Sequence, residues 1–309
     1  MSQARVRWAI GNARLLLGRL YRDLRGRIAT RPPANDVVPR PRVARGARPL
    51  RLTHVLVSSD LNPRYLECWP LTADAWRSIA DLEPVLVLVA PAADVPEELR
   101  RDPRVHVVEP IPGVHTALQA QCIRLLYPAL LETGGGGVVT SDVDMVPLNA
   151  AYFYRPAGRV DERHFLAYRD ILLPSGEIPV CFNAALPRTW GELFGVSERD
   201  DVRARLVEWT AGLAYDGVQG GRGWTTDQLV LHRLLVERGR THGDVWILDD
   251  RYTGYRRLNL ELTEPAVRDR GMRRRIARGR YSDFHCLHPR AQYGDVNEDV
   301  VRLAAGRRT

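Results

Sequence analysis

An apolar run, Val138-Val139-Thr140-Ser141, leads straight into Asp142-Val143-Asp144, so two carboxylates stand two positions apart at the end of a strand-like segment. In extended backbone, positions i and i+2 share a face. Two like charges held that close are costly unless a cation lies between them. A hard divalent cation bound by one or two carboxylates usually completes its shell with substrate phosphates. The chemistry expected of Asp142 and Asp144 is therefore a metal–diphosphate site. The plainer alternative is an acidic turn whose aspartates cap backbone groups; the position directly after a core strand favours the metal. His285 and His288, three apart in Asp283-Phe284-His285-Cys286-Leu287-His288-Pro289, suit metal ligation from a helix or a tight loop.

Those carboxylates need a scaffold, and the hydrophobic pattern predicts one. Leu52–Ser58 reads as a buried strand, Ala73–Ile79 as a helix, and Val85–Ala90 as a strand covered on both faces. Val105–Val108 is a third strand, Val114–Thr133 a long helix closed by Gly134–Gly137, and Gly137–Ser141 a fourth strand. Strand–helix alternation of this kind implies an α/β fold with a mostly parallel sheet flanked by helices. Beyond residue 150 the pattern mixes: strands near His164–Tyr168, Val180–Ala185 and Val245–Leu248, helices near Val202–Leu213 and Thr226–Glu237. Ligands of open sheets bind outside the carboxyl ends of the strands, which singles out Ser58, Ser59 and Asp60 together with Asp142 and Asp144.

The 309 residues suffice for a large core. All 45 basic residues are Arg, so a single Arg carries little information. Position carries more: residues 1–50 hold twelve Arg against Asp23 and Asp36, while residues 51–309 have a net charge of −2. The basic pI thus belongs to the N-terminal segment, and a nucleic-acid partner is not expected for the near-neutral body. Residues 1–30 contain an amphipathic basic helix over 4–28, suited either to an anionic membrane surface or to packing on its own fold or a second subunit. Residues 31–50, with five prolines, read as an extended linker. The longest stretch free of Asp, Glu and Arg, Pro110–Ile123, is too short and too polar for a transmembrane helix. No apolar segment of a secretory signal follows the start. Cys68, Cys122, Cys181 and Cys286 form no C-x-x-C pair and read as free thiols, so a cytoplasmic location is expected, peripheral at the inner membrane face if the helix binds lipid.

Over roughly residues 52–290 the order of five short motifs resembles the GT-A-fold glycosyltransferases that use nucleotide-sugar donors, nearest to the glycogenin- and galactosyltransferase-like (family 8-like) group. The matching segments are Val55–Asp60, Ile123-Arg124-Leu125-Leu126-Tyr127-Pro128, Asp142-Val143-Asp144, Phe182-Asn183-Ala184-Ala185 and Asp227-Gln228, followed by a late His. The resemblance implies a GT-A, Rossmann-like mixed sheet spanning 51–309, with a nucleotide-binding half over about 51–150 and an acceptor half over about 151–309. It implies that Ser58, Ser59 and Asp60 hold base and ribose, and that Arg124, Asp142 and Arg290 contact the donor. Asp142, Asp144 and His285 would bind Mn²⁺ or Mg²⁺. Asp227, Asn183 and Gln228 would act on the sugar or the acceptor. The family's Gly and Lys-Pro-Trp after the His are replaced here by His285-Cys286-Leu287-His288-Pro289-Arg290, which leaves His288 as a second ligand candidate.

Each residue also has a plainer reading. Ser58, Ser59 and Asp60 form a polar turn; Arg124 pairs with a surface acid; Asn183 satisfies backbone groups in an apolar strand. Thr225-Thr226-Asp227-Gln228 fits a capping box with Thr225 as N-cap, and Trp224 just before it is placed to stack on a sugar. The expected function is metal-dependent transfer of a hexose from a nucleotide-diphosphate sugar to a glycan, lipid-linked or protein hydroxyl, as in cell-envelope synthesis. Two rivals are a nucleotidyltransferase and a non-enzymatic protein that binds anionic lipid or nucleic acid through its basic tail. The turn Ser58-Ser59-Asp60-Leu61-Asn62-Pro63-Arg64-Tyr65 lacks the Gly-rich loop of the first.

Overall fold

The computed structural model describes residues 46–170, 172–249, 253–260 and 267–306. The expected helix over 4–28 lies outside them, as does the expected linker up to residue 45. The end of that linker is not free: Leu50 is buried, its N–H donates to the Val160 carbonyl at 3.0 Å, and the Glu162 N–H donates to the Arg48 carbonyl at 2.9 Å.

In chain order the elements are β1 (Leu52–Asp60), α1 (Pro63–Leu66), α2 (Trp69–Ala80), β2 (Glu83–Val89), α3 (Glu97–Arg100), β3 (Val105–Val108), α4 (Thr116–Leu126), β4 (Gly137–Thr140) and β5 (Met145–Pro147). Then come α5 (Ala150–Ala157), β6 (Phe165–Ala167), β7 (Asn183–Ala185), α6 (Pro187–Phe194), α7 (Arg199–Thr210), α8 (Thr226–Thr241), β8 (Val245–Ile247), α9 (Arg270–Ala277), β9 (Asp283–His285) and α10 (Arg290–Ala305). One seven-stranded sheet, β3-β2-β1-β4-β7-β6-β8, runs through both expected halves of the domain. Only β7 opposes the rest, pairing antiparallel with β4 and β6 while the other pairings are parallel. This is the helix-flanked mixed α/β sheet expected from the sequence.

The sheet buries a different core on each face. Leu56, Val87 and Val138 meet α4, α6, α7 and α8 on one side. Val55, Val57, Val139 and Leu166 meet Trp69 and Trp76 of α2 and Phe153 of α5 on the other. The alternation along β1 and β4 is the two-residue period of a strand. α4 stops at Leu126, short of the expected Thr133, because Pro128 cannot continue it; a single 3₁₀ turn, Tyr127–Leu130, follows. The three glycines before β4 have separate reasons. Gly134 and Gly135 adopt left-handed backbone, and a Cβ on Gly136 would lie 2.1 Å from the Thr53 hydroxyl oxygen.

A second, two-stranded sheet was not predicted. β5 pairs antiparallel with β9, so Met145 faces His285 and Pro147 faces Asp283. A third apolar cluster, with Val146, Phe284, Ile276 and Val300, joins it to α9 and α10. Asp283 is fully buried and holds Arg169, just past β6, and Arg257, whose Nε lies 2.8 Å from Oδ2. Burial alone would raise the Asp283 carboxyl, but the two guanidiniums outweigh it and hold it below the usual range. A carboxylate with a depressed folded-state pKa stabilises the fold above its unfolded value, and that stabilisation is lost as pH falls through the folded value. Asp283→Asn should therefore lower the unfolding free energy by about 3–5 kcal/mol at pH 7. In urea titrations the gap from wild type should narrow only below pH ~3.9, the ordinary aspartate value. Equal stability at pH 7 would show that the triad does not anchor β9.

Candidate active site

The Asp142-Val143-Asp144 segment is held by its backbone. Past β4 the Ser141 N–H donates to the Leu56 carbonyl of β1 at 3.0 Å, and the Met145 N–H closes a turn on the Asp142 carbonyl at 3.1 Å. The next three carbonyls are each taken: Val143 by the Thr72 hydroxyl at 2.7 Å, Asp144 by the Cys286 N–H at 2.7 Å, and Met145 by the Trp76 indole at 3.1 Å. Thr72 and Trp76 come from α2, and Cys286 follows β9. The expected cause of convergence, one face of an extended strand, is corrected here: residues 143 and 144 lie in a turn, and the turn aims both carboxylates.

Those carboxylates meet the late histidines. Asp144 is 3% exposed, and its Oδ2 lies 2.9 Å from Nε2 of both His285 and His288. Burial alone would raise its carboxyl, but the two imidazoles overcome that and hold it well below the usual carboxylate range. One ligand atom each from Asp142, Asp144 and His285 lie within 4.8 Å of one another. An oxygen–oxygen–nitrogen donor set of this kind fits a divalent cation such as Mn²⁺ or Mg²⁺, with carboxylates suited to either and imidazole to the softer one. His288 shares the same Asp144 oxygen.

Arg124 of α4 reaches the same place. One end of its guanidinium pairs with Asp142, and the other donates to Asp227 Oδ2 at 2.8 Å. Asp142 therefore meets a cation only by sharing its carboxylate with Arg124 or releasing it. Asp144 has no arginine partner among the described residues. Asp227 is 1% exposed, and burial pushes its carboxyl up against the opposing pull of Arg124. Its Oδ1 accepts the Gln228 N–H at 2.8 Å. The expected capping box is not formed: Thr225 is the N-cap but makes no side-chain bond there, and Thr226 donates back to the Gly223 carbonyl instead.

The remaining expected residues divide. Ser58 donates to the Ala120 carbonyl at 2.5 Å and Ser59 to the Asp60 carbonyl at 2.8 Å, so both hydroxyls are spent on backbone. Asp60 stays at the mouth of β1, accepting from the Thr116 hydroxyl and the Asn62 N–H. The Asn183 amide donates to the Pro179 and Val180 carbonyls, while its buried Oδ1 has no partner among the described residues. Arg290, at the start of α10, is bound to Glu67 and Glu298 and is not brought to the acid–histidine cluster. Trp224 stacks on Tyr215 at 6.4 Å between ring centroids. The Tyr215 hydroxyl is buried without a described partner, and burial first, then Asp60, Tyr65 and Asp227, push it up to about 12.

Two asparagines were missed. Asn259 makes a reciprocal pair with the His285 backbone, accepting its N–H at 2.6 Å and donating to its carbonyl at 2.7 Å. Asn297 of α10 does the same to Leu287 at 2.9 and 3.0 Å. Each amide imitates a neighbouring strand, and together they fix the segment carrying both histidines. The buried Asn297 on an amphipathic helix was a readable signal; Asn259 had none.

No family model matches the chain, and no curated protein matches it in sequence. The solved structures similar to it include glycosyltransferases. A galactosyltransferase LgtC, in complex with donor and acceptor sugar analogs, gives a TM-score of 0.41 at 14% identity over 83% of this chain and 97% of that one. The glycosyltransferase GlyE of Streptococcus pneumoniae gives 0.44 at 12% identity, over 82% of this chain but only 60% of its own length. Mouse xyloside xylosyltransferase 1 gives 0.39 at 9% identity, over 75% of this chain and 97% of that one. At such values the functional reading rests on the side chains instead.

Outer contacts that orient metal ligands typically matter about 10–100-fold in affinity. Asn259→Leu and Asn297→Leu should each weaken Mn²⁺ binding by about that factor in calorimetric titrations of the full chain, with the circular dichroism spectrum retained. A folded variant with wild-type Mn²⁺ affinity would show that the clamps position nothing.

Proposed function

We propose that the chain is a metal-dependent glycosyltransferase that moves a hexose from a nucleotide-diphosphate sugar to a hydroxyl acceptor. The observation that carries this reading is the convergence of Asp142, Asp144 and His285 beyond the carboxyl end of β4, beside the Arg124–Asp227 pair. In glycosyl transfer, negative charge grows on the diphosphate oxygen as the bond to the anomeric carbon breaks. A divalent cation bound there would neutralise that charge.

The protein's own groups supply the rest. Arg124 exchanges part of its hold on the acids for the diphosphate, a guanidinium being well matched to phosphate oxygens. Asp60, held by Thr116, offers a carboxylate to the ribose hydroxyls at the mouth of β1. Asp227 is fixed by Arg124 and the Gln228 N–H, which suits it to hold a sugar hydroxyl. Burial pushes its carboxyl up, which would suit it to accept the acceptor's proton in an inverting reaction; in a retaining one the leaving phosphate takes that proton. The Asn183 Oδ1 is an unused acceptor for a hydroxyl. The motif resemblance favours retention of configuration.

The acceptor in this reading is a glycan, a lipid-linked sugar or a protein hydroxyl, with a place in cell-envelope synthesis. No helix among the described residues is long and apolar enough to cross a membrane. We infer that residues 4–28 lay the enzyme against the anionic inner face.

In a panel of UDP-, GDP- and dTDP-sugars, at least one donor should be hydrolysed only when Mn²⁺ or Mg²⁺ is present. EDTA should abolish the activity, and Asp144→Asn should cut it by roughly 10²-fold or more. Absence of both hydrolysis and binding across the panel would remove the transferase reading. Liposome flotation tests the membrane: the full chain should float with anionic vesicles, and glutamine at Arg7, Arg14, Arg22 and Arg25 should release it. Equal flotation of both forms would sink the idea.

A further inference from the structure

A cavity of about 340 Å³ opens at the carboxyl end of β8, walled by Tyr152, Arg155, Arg159, Trp246, Asp249 and Tyr255. Two arginines stand in its wall. The buried and half-buried guanidiniums of Arg124, Arg169, Arg238 and Arg257 are each held by an acid. Arg155 and Arg159 are exposed and have no ion pair or side-chain hydrogen bond among the described residues. Asp249, the single carboxylate among the described residues of the wall, is already engaged within the chain. Two unneutralised cations therefore face a concave space. Its other walls are aromatic: Tyr152 and Tyr255 meet edge to face at 5.6 Å, and Trp246 is half-buried.

The placement adds to the chemistry. β8 runs parallel to β6, and β6 is related to β4 through the antiparallel β7. The carboxyl end of β8 is therefore on the same sheet edge as Asp142 and Asp144. Three strand spacings of ~4.8 Å put it about 14 Å along that edge from β4. The wall is also tied to the metal strand. The Arg169 guanidinium lies 5.7 Å over the Tyr152 ring and is bonded to Asp283, two residues before His285.

We propose that this cavity binds an anionic saccharide, the carboxylate- or phosphate-bearing part of the glycosyl acceptor. Arg155 and Arg159 pair with the anion, and Trp246 packs against the apolar face of a sugar ring. Cations beside aromatic walls match a sugar that carries charge; neither feature alone would select one. That the ligand is an acceptor rests on the transferase reading, but its binding does not.

The test is therefore calorimetric titration of the full chain without donor or metal. The probes are a uronic-acid trisaccharide, its carboxyl-reduced neutral counterpart, and a hexose 6-phosphate. At least one charged probe should bind, with the neutral trisaccharide at least tenfold weaker, and the preferred charged probe identifies carboxylate or phosphate as the anion. Arg155→Gln combined with Arg159→Gln should weaken that binding at least tenfold, whereas lysine at both positions should retain most of it. Trp246→Phe should remove a ligand-induced change in tryptophan fluorescence. No binding by any probe, equal binding of the neutral one, or indifference to the glutamine pair in a folded protein overturns the proposal. Saccharide binding without donor turnover would instead remove the transferase reading and leave the cavity standing.

Discussion

A buried carboxylate must find positive charge or hydrogen-bond donors, because desolvation penalises it severely. Asp144 finds two imidazoles, and that requirement organises the region around it. Its histidines come from residues 285 and 288, so the chain after α9 must return to lie against the turn that follows β4. The small β5–β9 sheet is the means of return, with Asp144 bonded to Cys286 through its carbonyl and to both rings through its side chain. Supports then accumulate on either side. Thr72 and Trp76 fix the acid turn, Asn259 and Asn297 fix the histidine segment, and Asp283 ties that segment to Arg169 and Arg257.

The sequence was most legible where burial imposes a pattern. The apolar run from Val85 to Val89 is buried in β2, and the runs leading to Ser58 and Ser141 lie side by side as β1 and β4. Fully buried parallel strands are continuously apolar, so periodicity finds them. It fails for β5 and β9, which are three residues each and owe their existence to a partner some 140 positions away. No local propensity encodes that pairing. The capping box at Thr225 failed for a local reason. The Asp227 carboxylate takes the Gln228 N–H that the Thr225 hydroxyl would have capped.

The site itself was legible as a list of residue types rather than as an arrangement. Asp142, Asp144, His285, Arg124 and Asp227 do come together, but the turn, not strand alternation, brings the two acids to one place. Ser58 and Ser59 illustrate the opposite outcome. Their position at the end of a core strand is right for a ligand, yet each hydroxyl is spent on a carbonyl, which a sequence cannot show. The abundance of arginine obscured the rest: 45 of them make any one uninformative until its partner is known.

Partnership is what gives the arginines meaning. Arg124 bridges Asp142 and Asp227 and so balances two acids in a partly buried place, where unpaired carboxylates would repel each other. The same bridge means that a cation taking Asp142 and a diphosphate taking Arg124 are complementary events. A cation bound there would relieve Asp142 of its need for the guanidinium, and the guanidinium so released would suit a diphosphate. Binding of either one then lowers the cost of binding the other, which is a coupling between the two through a shared ion pair. Such a centre favours a metal–diphosphate pair over either component alone. In the proposed transferase, that coupling would suit a donor that carries both charges of a pyrophosphate.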